Sequence, residues 1–144
     1  MTLNAILNSK PRDIFAVAPD TRIGEVVALL TRWRIGAVLV VNECNDLVGI
    51  LSERDIVGGM VDHASGLFDI CTAELMTRHP VTATPATTVA EAMHRMTEGR
   101  FRHLPVLEHG RLLGIVSIGD VVRARLDQQV QETEVLRNYV AGCV

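Results

Sequence analysis

The chain has 144 residues, 48% of them apolar, and its 14 basic and 17 acidic side chains leave a net charge of −3. This length suits one compact domain or two small halves that share a core. The acidic balance gives no general attraction to a polyanion, which argues against nucleic acid as a partner, and every apolar stretch is far shorter than the roughly 20 residues of a membrane helix.

The reactive side chains indicate neither a disulfide scaffold nor an enzyme. Cys44, Cys71 and Cys143 are widely spaced, odd in number and without a Cys-x-x-Cys pair, which is typical of reduced thiols. The histidines lack metal-ligand spacing, and we find no nucleophile with a nearby base and no phosphate loop. These absences predict a protein without a metal, a catalytic cofactor or catalytic activity. The N-terminal residues also lack the pattern of an export signal, which predicts a cytoplasmic location.

The first elements follow from hydrophobic periodicity. Residues 2–9 have the pattern of a short amphipathic helix, which we expect to pack on the body that follows. An extended segment at 14–18 precedes a helix with an apolar stripe. The members of that stripe are Ile23, Val26, Val27 and Leu30. A strand at 37–41, a polar turn and a strand at 47–51 then predict a hairpin.

A seven-residue pattern that closes this hairpin occurs twice. Gly49-Ile50-Leu51-Ser52-Glu53-Arg54-Asp55 returns as Gly114-Ile115-Val116-Ser117-Ile118-Gly119-Asp120, 65 residues later (114 minus 49). In each copy a buried strand ends at a Ser in the N-cap position, and an Asp follows in the first helical turn. The pattern therefore predicts a hydroxyl, a carboxylate and free backbone N–H groups at one helix N-terminus.

Other correspondences extend the repetition to most of the chain. Pro85 repeats Pro19 and Glu91 repeats Glu25 at an offset of 66 (85 minus 19), and Thr88 with Glu91 predicts a capping box. A turn that is one residue shorter in the second half accounts for the later offset of 65. These correspondences indicate internal duplication, with two similar halves stacked on a shared core.

One long helix is predicted from Asp120 to about Val140. Its apolar residues have helical spacing: Val122, Leu126, Val130, Leu136 and Val140. The residues leave two interpretations open, since this helix could pack on its own domain or mediate self-association.

The duplicated order of strand, helix, two strands and helix, with Gly-apolar-apolar-Ser-x-x-Asp at each second-strand exit, resembles the CBS domain pair, or Bateman module. The resemblance covers roughly residues 12–126 and implies an α/β fold of two tandem β-α-β-β-α repeats related by pseudo-twofold symmetry, with helical extensions at both ends.

The predicted domain boundaries follow from this order. They are an N-terminal helical segment at 1–11, a first repeat at 12–61, a connector at 62–74, a second repeat at 75–126 and a C-terminal helix at 127–144.

The resemblance also implies a function. Such pairs bind adenosine-containing ligands (AMP, ADP, ATP, NAD(H) or S-adenosylmethionine) in a cleft between the repeats, regulate another protein and commonly form homodimers. We therefore expect an adenine nucleotide as effector, a homodimer and an unidentified regulated protein, with no membrane partner. The alternative is a structural or interaction module with empty clefts that works through dimerisation and its C-terminal helix.

The repeated Ser and Asp are the first predicted ligand residues. The resemblance assigns phosphate to Ser117 and the ribose 2′ and 3′ hydroxyls to Asp120, and the same roles to Ser52 and Asp55. Helix N-termini stabilise anions, and a carboxylate accepts hydrogen bonds from vicinal hydroxyls. Taken alone, the residues favour simple helix caps.

Further ligand residues are implied in the second half. Thr82 lies on the strand that family members place against adenine, Arg102 and His103 match positions that often face phosphate, and Arg123 matches a position where many relatives keep a basic residue. Without the resemblance, Arg102 and His103 could equally form a solvated corner between helix and strand.

The first half has lost several of these polar groups. Its residues at the matched positions are Ala16, Gly36, Ala37 and Gly58. Arg34 and Arg100 correspond to each other and are either ligand cations or surface charges. The second half is therefore the better predicted site for a nucleotide.

Overall fold

The computed structural model describes residues 1–11 and 14–142, which divide into two compact units. We call the described residues within 1–12, 82–108 and 114–144 the second-repeat unit, and those within 13–81 and 109–113 the first-repeat unit. The fold is α/β with a tandem repeat, as predicted.

The first-repeat unit contains a four-stranded sheet in the order β1-β2-β3-β4. Its strands are β1 (Ala16–Val17), β2 (Ala37–Val41), β3 (Leu47–Ser52) and β4 (Thr77–Arg78). Strand β1 is parallel to β2, whereas β2 with β3 and β3 with β4 are antiparallel. The β2–β3 hairpin is the one predicted from the sequence, and its end brings Ser52 opposite Ala37.

Helices complete this unit. They are α2 (Ile23–Trp33), α3 (Glu53–His63), a 3-10 helix (Ala64–Asp69) and α4 (Thr72–Leu75). The core contains the predicted stripe of α2 except Val27, which is half-buried at its edge. Its buried members are Ile23, Val26, Leu30, Val38, Val40, Leu51, Ile56 and Leu67.

The second-repeat unit has the same order of elements around a smaller sheet. Its helices and strands are α1 (Leu3–Asn8), α5 (Val89–Gly99), β5 (His103–Glu108), α6 (Ile118–Val140) and, from Gly114 onward, β6 (Arg111–Ser117). Strands β5 and β6 form a two-stranded sheet. The counterpart of β1 is reduced to a single parallel bridge between Ala83 and Val106, so the strand predicted at Thr82 does not form at that residue.

Helix α1 packs on the body of the chain that follows it, as predicted, and it belongs to the second-repeat unit. Its apolar side chains are buried as predicted, and these are Leu3, Ile6 and Leu7. The Leu3 N–H donates to the Thr87 carbonyl at 2.9 Å, and the Asn4 N–H donates to the Pro85 carbonyl at 3.0 Å. Helix α1 therefore packs on the second-repeat unit, whose other residues begin at Thr82, far later in the sequence.

The end of the predicted connector at 62–74 is bonded to the first-repeat unit in the same way as α1 is bonded to the second-repeat unit. The Thr72 N–H donates to the Thr21 carbonyl at 2.8 Å, and the Ala73 N–H donates to the Pro19 carbonyl at 2.9 Å. These bonds repeat those of α1 at an offset of 69 (72 minus 3). Thr72 is fully buried, and its hydroxyl also donates to the Thr21 carbonyl at 2.7 Å. The duplication thus includes the segment before each repeat, and the predicted connector is the counterpart of the N-terminal helical segment.

Helix α6 has the predicted length, but its predicted apolar stripe is not buried. Val121 and Ala124 are its buried residues, and every residue from 125 to 140 is exposed except Gln128. The start of this helix therefore packs on its own chain while its second half does not pack on the described residues, and self-association stays a prediction.

Two further findings concern individual predictions. Among residues 1–11 and 14–142, no helix combines the length and apolar character needed to cross a membrane. Cys44 is exposed and Cys71 half-buried, and both are free thiols, whereas Cys143 lies outside the described residues.

Candidate ligand site at the start of the last helix

The site begins at the junction of β6 and α6, where Ser117 is the N-cap residue. Ser117 Oγ accepts a hydrogen bond from the Asp120 N–H at 3.2 Å, and Asp120 Oδ2 accepts one from the Ser117 N–H at 3.0 Å. This reciprocal capping box fixes the Asp120 side chain at the helix start. Its second oxygen, Oδ1, takes no part in the box.

The first-turn N–H groups are less available than the sequence predicted. The Ile118 N–H donates to the Arg102 carbonyl at 2.8 Å, and the Asp120 N–H is used by Ser117. Gly119 has the first-turn N–H that no described residue engages. A phosphate here would therefore depend on nearby cations more than on backbone donors.

The predicted cationic residues lie on the elements that meet at this junction. The bond from Ile118 ties the backbone of Arg102 to the helix start, while the Arg102 side chain is exposed and His103 is half-buried at the start of β5. Arg123 Nη1 lies 3.9 Å from Asp120 Oδ1, and its side chain is 75% exposed. The structure thus brings Ser117, Asp120, Arg102 and Arg123 to one helix end.

A cation that the sequence analysis missed completes the site. Lys10 Nζ lies 2.8 Å from Asp120 Oδ2 and donates to the Ile115 carbonyl at 2.7 Å. The side chains of Lys10 and Asp120 are 29% and 14% exposed, so this ion pair is largely shielded from water. It joins residues that are 110 positions apart.

This environment keeps Asp120 ionised. Burial alone would raise the pKa of its carboxyl, but hydrogen bonds from Lys10 and Ser117, with the positive charge of Lys10, lower the pKa below its ordinary value. The site therefore offers a carboxylate, an acceptor for hydroxyl groups, beside the cationic side chains of Lys10 and Arg123.

The equivalent junction in the first-repeat unit has the same local geometry. The Ser52 N–H and hydroxyl donate to Asp55 Oδ2 at 2.9 and 3.1 Å, and the Asp55 N–H donates to Ser52 Oγ at 3.4 Å. The Glu53 N–H donates to the Gly36 carbonyl at 3.0 Å, as the Ile118 N–H does to Arg102. The positions that correspond to Lys10 and Arg123 hold His79, which is exposed, and Gly58, which has no side chain.

Comparison with known proteins identifies this repeated architecture. Residues 10–62 and 72–127 match the CBS domain. The chain belongs to the CBS domain family. The two matched ranges are two CBS repeats, as the resemblance predicted.

Relatives and solved structures support this identification over most of the chain. The CBS domain-containing protein CBSX3, mitochondrial, of Arabidopsis thaliana is 35% identical over 98% of this chain and 72% of its own length. The CBS-domain containing protein ATU1752 from Agrobacterium tumefaciens is 40% identical with a TM-score of 0.83, covering 86% of this chain and 92% of that chain. CBSX2, solved in complex with AMP, is 28% identical with a TM-score of 0.73, covering 89% of this chain and 98% of that chain.

Thr82 is not joined to the other predicted residues of the second CBS repeat. It is exposed, and its carbonyl accepts a hydrogen bond from Arg95 Nη1 at 2.9 Å. Within the described residues, no hydrogen bond or ion pair links Thr82 to Ser117 or Asp120. Its contact with adenine stays a prediction.

Arg34 and Arg100 have matching backbone roles in the two CBS repeats. They follow α2 and α5 in the left-handed conformation, with φ of 53° and 55°. Their N–H groups donate to the Leu30 and Met96 carbonyls, so each residue ends its helix. Their side chains are exposed, and a ligand role for either stays a prediction.

The capping box predicted at α5 forms only in part. The Glu91 N–H donates to Thr88 Oγ1 at 3.1 Å, but the Glu91 carboxylate turns to Arg95 Nε at 3.3 Å instead of the Thr88 backbone. The exposed i, i+4 pair with Arg95 competes for the carboxylate.

A sequence signal for Lys10 existed, although it was weak. Lys10-Pro11 returns as His79-Pro80 at the offset of 69 (79 minus 10), and Lys10 is the only lysine in the chain. This pattern marks a repeated segment boundary, but nothing local in it indicates a contact with Asp120.

Proposed function

We propose that this chain is a regulatory module without catalytic activity that binds an adenosine nucleotide, such as AMP, ADP, ATP or NAD(H), at the start of α6. The observation that supports this most is the ionised Asp120, fixed by Ser117 at a helix start and surrounded by cations in a CBS repeat. The AMP complex of CBSX2, a related CBS protein, supports the ligand class.

The geometry suggests how each group would contribute. Asp120 would accept hydrogen bonds from the ribose hydroxyls, while Ser117, Arg102, His103 and Arg123 would lie on the phosphate side. An ionised carboxylate accepts such bonds more strongly than a neutral group. Ser52 and Asp55 would form a second, weaker site because the cations of the other repeat are replaced there by small residues.

Two repeated apolar faces suggest a homodimer. Val57 and Val61 on α3 are 62% and 85% exposed, and their repeat equivalents on α6, Val122 and Leu126, are 42% and 56% exposed. Exposed apolar residues grouped on a helix face commonly mark an interface. We propose that both faces contact a second copy, and that ligand occupancy changes the stability of that assembly or of its complex with a regulated protein.

The exposed second half of α6 favours the alternative function, an interaction module with empty sites. Helices of about 15 residues that lack tertiary contacts have marginal stability in water. We therefore expect a partner to cover this segment of α6. Removing residues 127–144 distinguishes the two functions, because a nucleotide sensor would keep its ligand affinity, whereas an interaction module would lose its partner.

Thermal unfolding with AMP, ADP, ATP, NADH or S-adenosylmethionine tests the proposed function. A ligand at 100 times its dissociation constant should raise the free energy of unfolding by about 2.7 kcal/mol. An unchanged melting temperature with all five compounds would contradict nucleotide sensing and favour the interaction module. The cytoplasmic location and the regulated protein stay predictions.

A further inference from the structure

Lys10, the only lysine of the chain, forms an ion pair with the Asp120 carboxylate. The proposed function assigns the ribose hydroxyls to this same carboxylate. Lys10 Nζ is held by Asp120 Oδ2 at 2.8 Å and by the Ile115 carbonyl at 2.7 Å. Its position follows from α1, whose buried face fixes the segment directly before Lys10. The contact is therefore part of the packed unit.

Hydrogen-bond capacity sets up a competition at Asp120. A carboxylate oxygen has about two lone-pair sites, and those of Oδ2 are taken by the Ser117 N–H and by Lys10. A ribose offers two vicinal hydroxyl donors, and Oδ1 alone is outside the capping box. A diol that uses both carboxylate oxygens must therefore displace Lys10.

Displacement has a charge consequence. Once released from Asp120, the Lys10 ammonium would remain in a shielded position beside the Ile115 carbonyl, where an unpaired charge is costly. A phosphate on the ligand supplies a new anionic partner, whereas an uncharged nucleoside does not. We infer that Lys10 is a specificity-determining residue that makes the second-repeat site favour phosphorylated adenosine ligands over adenosine itself.

The first-repeat unit provides a natural comparison. His79 is the counterpart of Lys10, but it is exposed, and in the part of the chain that the structure describes no hydrogen bond or ion pair joins it to Asp55. The preference for phosphorylated ligands over adenosine would thus be a property of the second-repeat site and not of the site at Asp55. This inference rests on the proposed function, because it assumes that Asp120 binds the ribose.

Calorimetric titration with AMP and with adenosine tests it, using the full chain, Lys10→Met and the matched control His79→Met. Wild-type protein should bind AMP more tightly than adenosine. Lys10→Met should lower that ratio about tenfold, the size of one charge-assisted contact, by weakening AMP and strengthening adenosine. His79→Met should leave the ratio unchanged.

The outcomes separate the two proposals. If wild-type protein binds AMP and Lys10→Met retains the full AMP-to-adenosine ratio, the role of Lys10 is wrong while the proposed function stands. If wild-type protein binds neither compound, and ADP, ATP, NADH and S-adenosylmethionine also fail to bind, the proposed function itself is wrong.

Acetylation of the wild-type protein gives a second measurement that requires no variant. Lys10 has the only side-chain amine, so mass spectrometry follows one site, with the N-terminal amine as internal reference. AMP should slow acetylation of Lys10, because the phosphate engages the ammonium, and saturating adenosine should not. Equal protection by both compounds would overturn the inference even if Lys10→Met fails to fold.

Discussion

The Met76 sulfur lies 2.6 Å from the point where a Cβ on Gly49 would stand. In the second-repeat unit, Leu7 Cδ2 lies 3.0 Å from the same point on Gly114. Leu7 and Met76 are counterparts at the offset of 69 (76 minus 7). The glycine that opens each repeated seven-residue pattern therefore provides room for the segment that packs on its strand.

Replacing these glycines should have unequal effects. Gly49→Ala should destabilise the protein by about 1–3 kcal/mol, because the new methyl group also meets the Thr77 carbonyl, a backbone atom, at 3.0 Å. Gly114→Ala should cost less, since its close contact is the flexible end of Leu7. Urea unfolding of both variants measures the difference, and a larger loss for Gly114→Ala would contradict this account.

The Asp120 carboxylate should make stability depend on pH. Because the folded state lowers the pKa of this group, its contribution is present above the ordinary carboxyl pKa of about 3.9 and disappears as the pH falls through the lower folded value. Asp120→Asn should therefore unfold at a lower temperature than wild type at pH 7, with a difference that shrinks toward pH 3. The exposed Asp127→Asn is the control, and an equally shrinking difference for that variant would assign the effect elsewhere.

The two repeats should differ in ligand affinity. Asp120→Ala should weaken AMP binding about tenfold or more, because it removes a charged acceptor from the site with the surrounding cations. Asp55→Ala should change total affinity much less, since its capping box lacks those cations in the described residues. Equal losses in titration calorimetry would show that the sites are equivalent.

The exposed end of α6 should be dispensable for folding. A chain that ends at Leu126 should keep the melting temperature of the diluted full-length protein, because every residue from 127 to 140 is exposed except the half-buried Gln128. Its dimer should dissociate more readily, as measured by sedimentation at several concentrations. The variant Leu136→Glu should weaken the dimer, and the control Glu134→Gln should not change it. If neither Leu136→Glu nor the shortened chain changes dimerisation, the interface is limited to the apolar faces nearer the start of α6.

A substitution at Arg34 distinguishes a structural role of its left-handed backbone conformation from a ligand role of its side chain. Arg34→Gly should stabilise the protein by up to about 1 kcal/mol, because glycine adopts positive φ without the steric cost of a side chain. Thermal unfolding measures this gain. A loss of AMP affinity in the same variant would instead support Arg34 as a ligand cation.

Much of the fold could be predicted because its signals are local. The run of β-branched residues in β2 predicted that strand with its observed bounds. The spacing of Ser52 with Asp55 and of Ser117 with Asp120 allowed helix caps as one interpretation, and the structure contains both as capping boxes. Such patterns depend on a few neighbouring residues, so a single sequence reveals them.

The rest depended on contacts between distant residues. The pairing of Lys10 with Asp120 exists only because α1 packs beside β6 and α6, and no local pattern encodes that choice. Helix α4 has four residues, too few for a periodic signal. The strand expected at Thr82 is lost because only Ala83 reaches β5, a difference in tertiary fit that local propensity does not contain.

The placement of α1 also has a consequence for synthesis on the ribosome. The first-repeat unit draws nearly all of its residues from one continuous stretch, so it can fold while later residues are still being added. Helix α1 is made first, yet its partners begin at Thr82, and Gly114 and α6 come later still. The buried face of α1 therefore stays uncovered until residues from Thr82 onward have been made, and a chain truncated before β6 would lack Gly114, against which Leu7 packs.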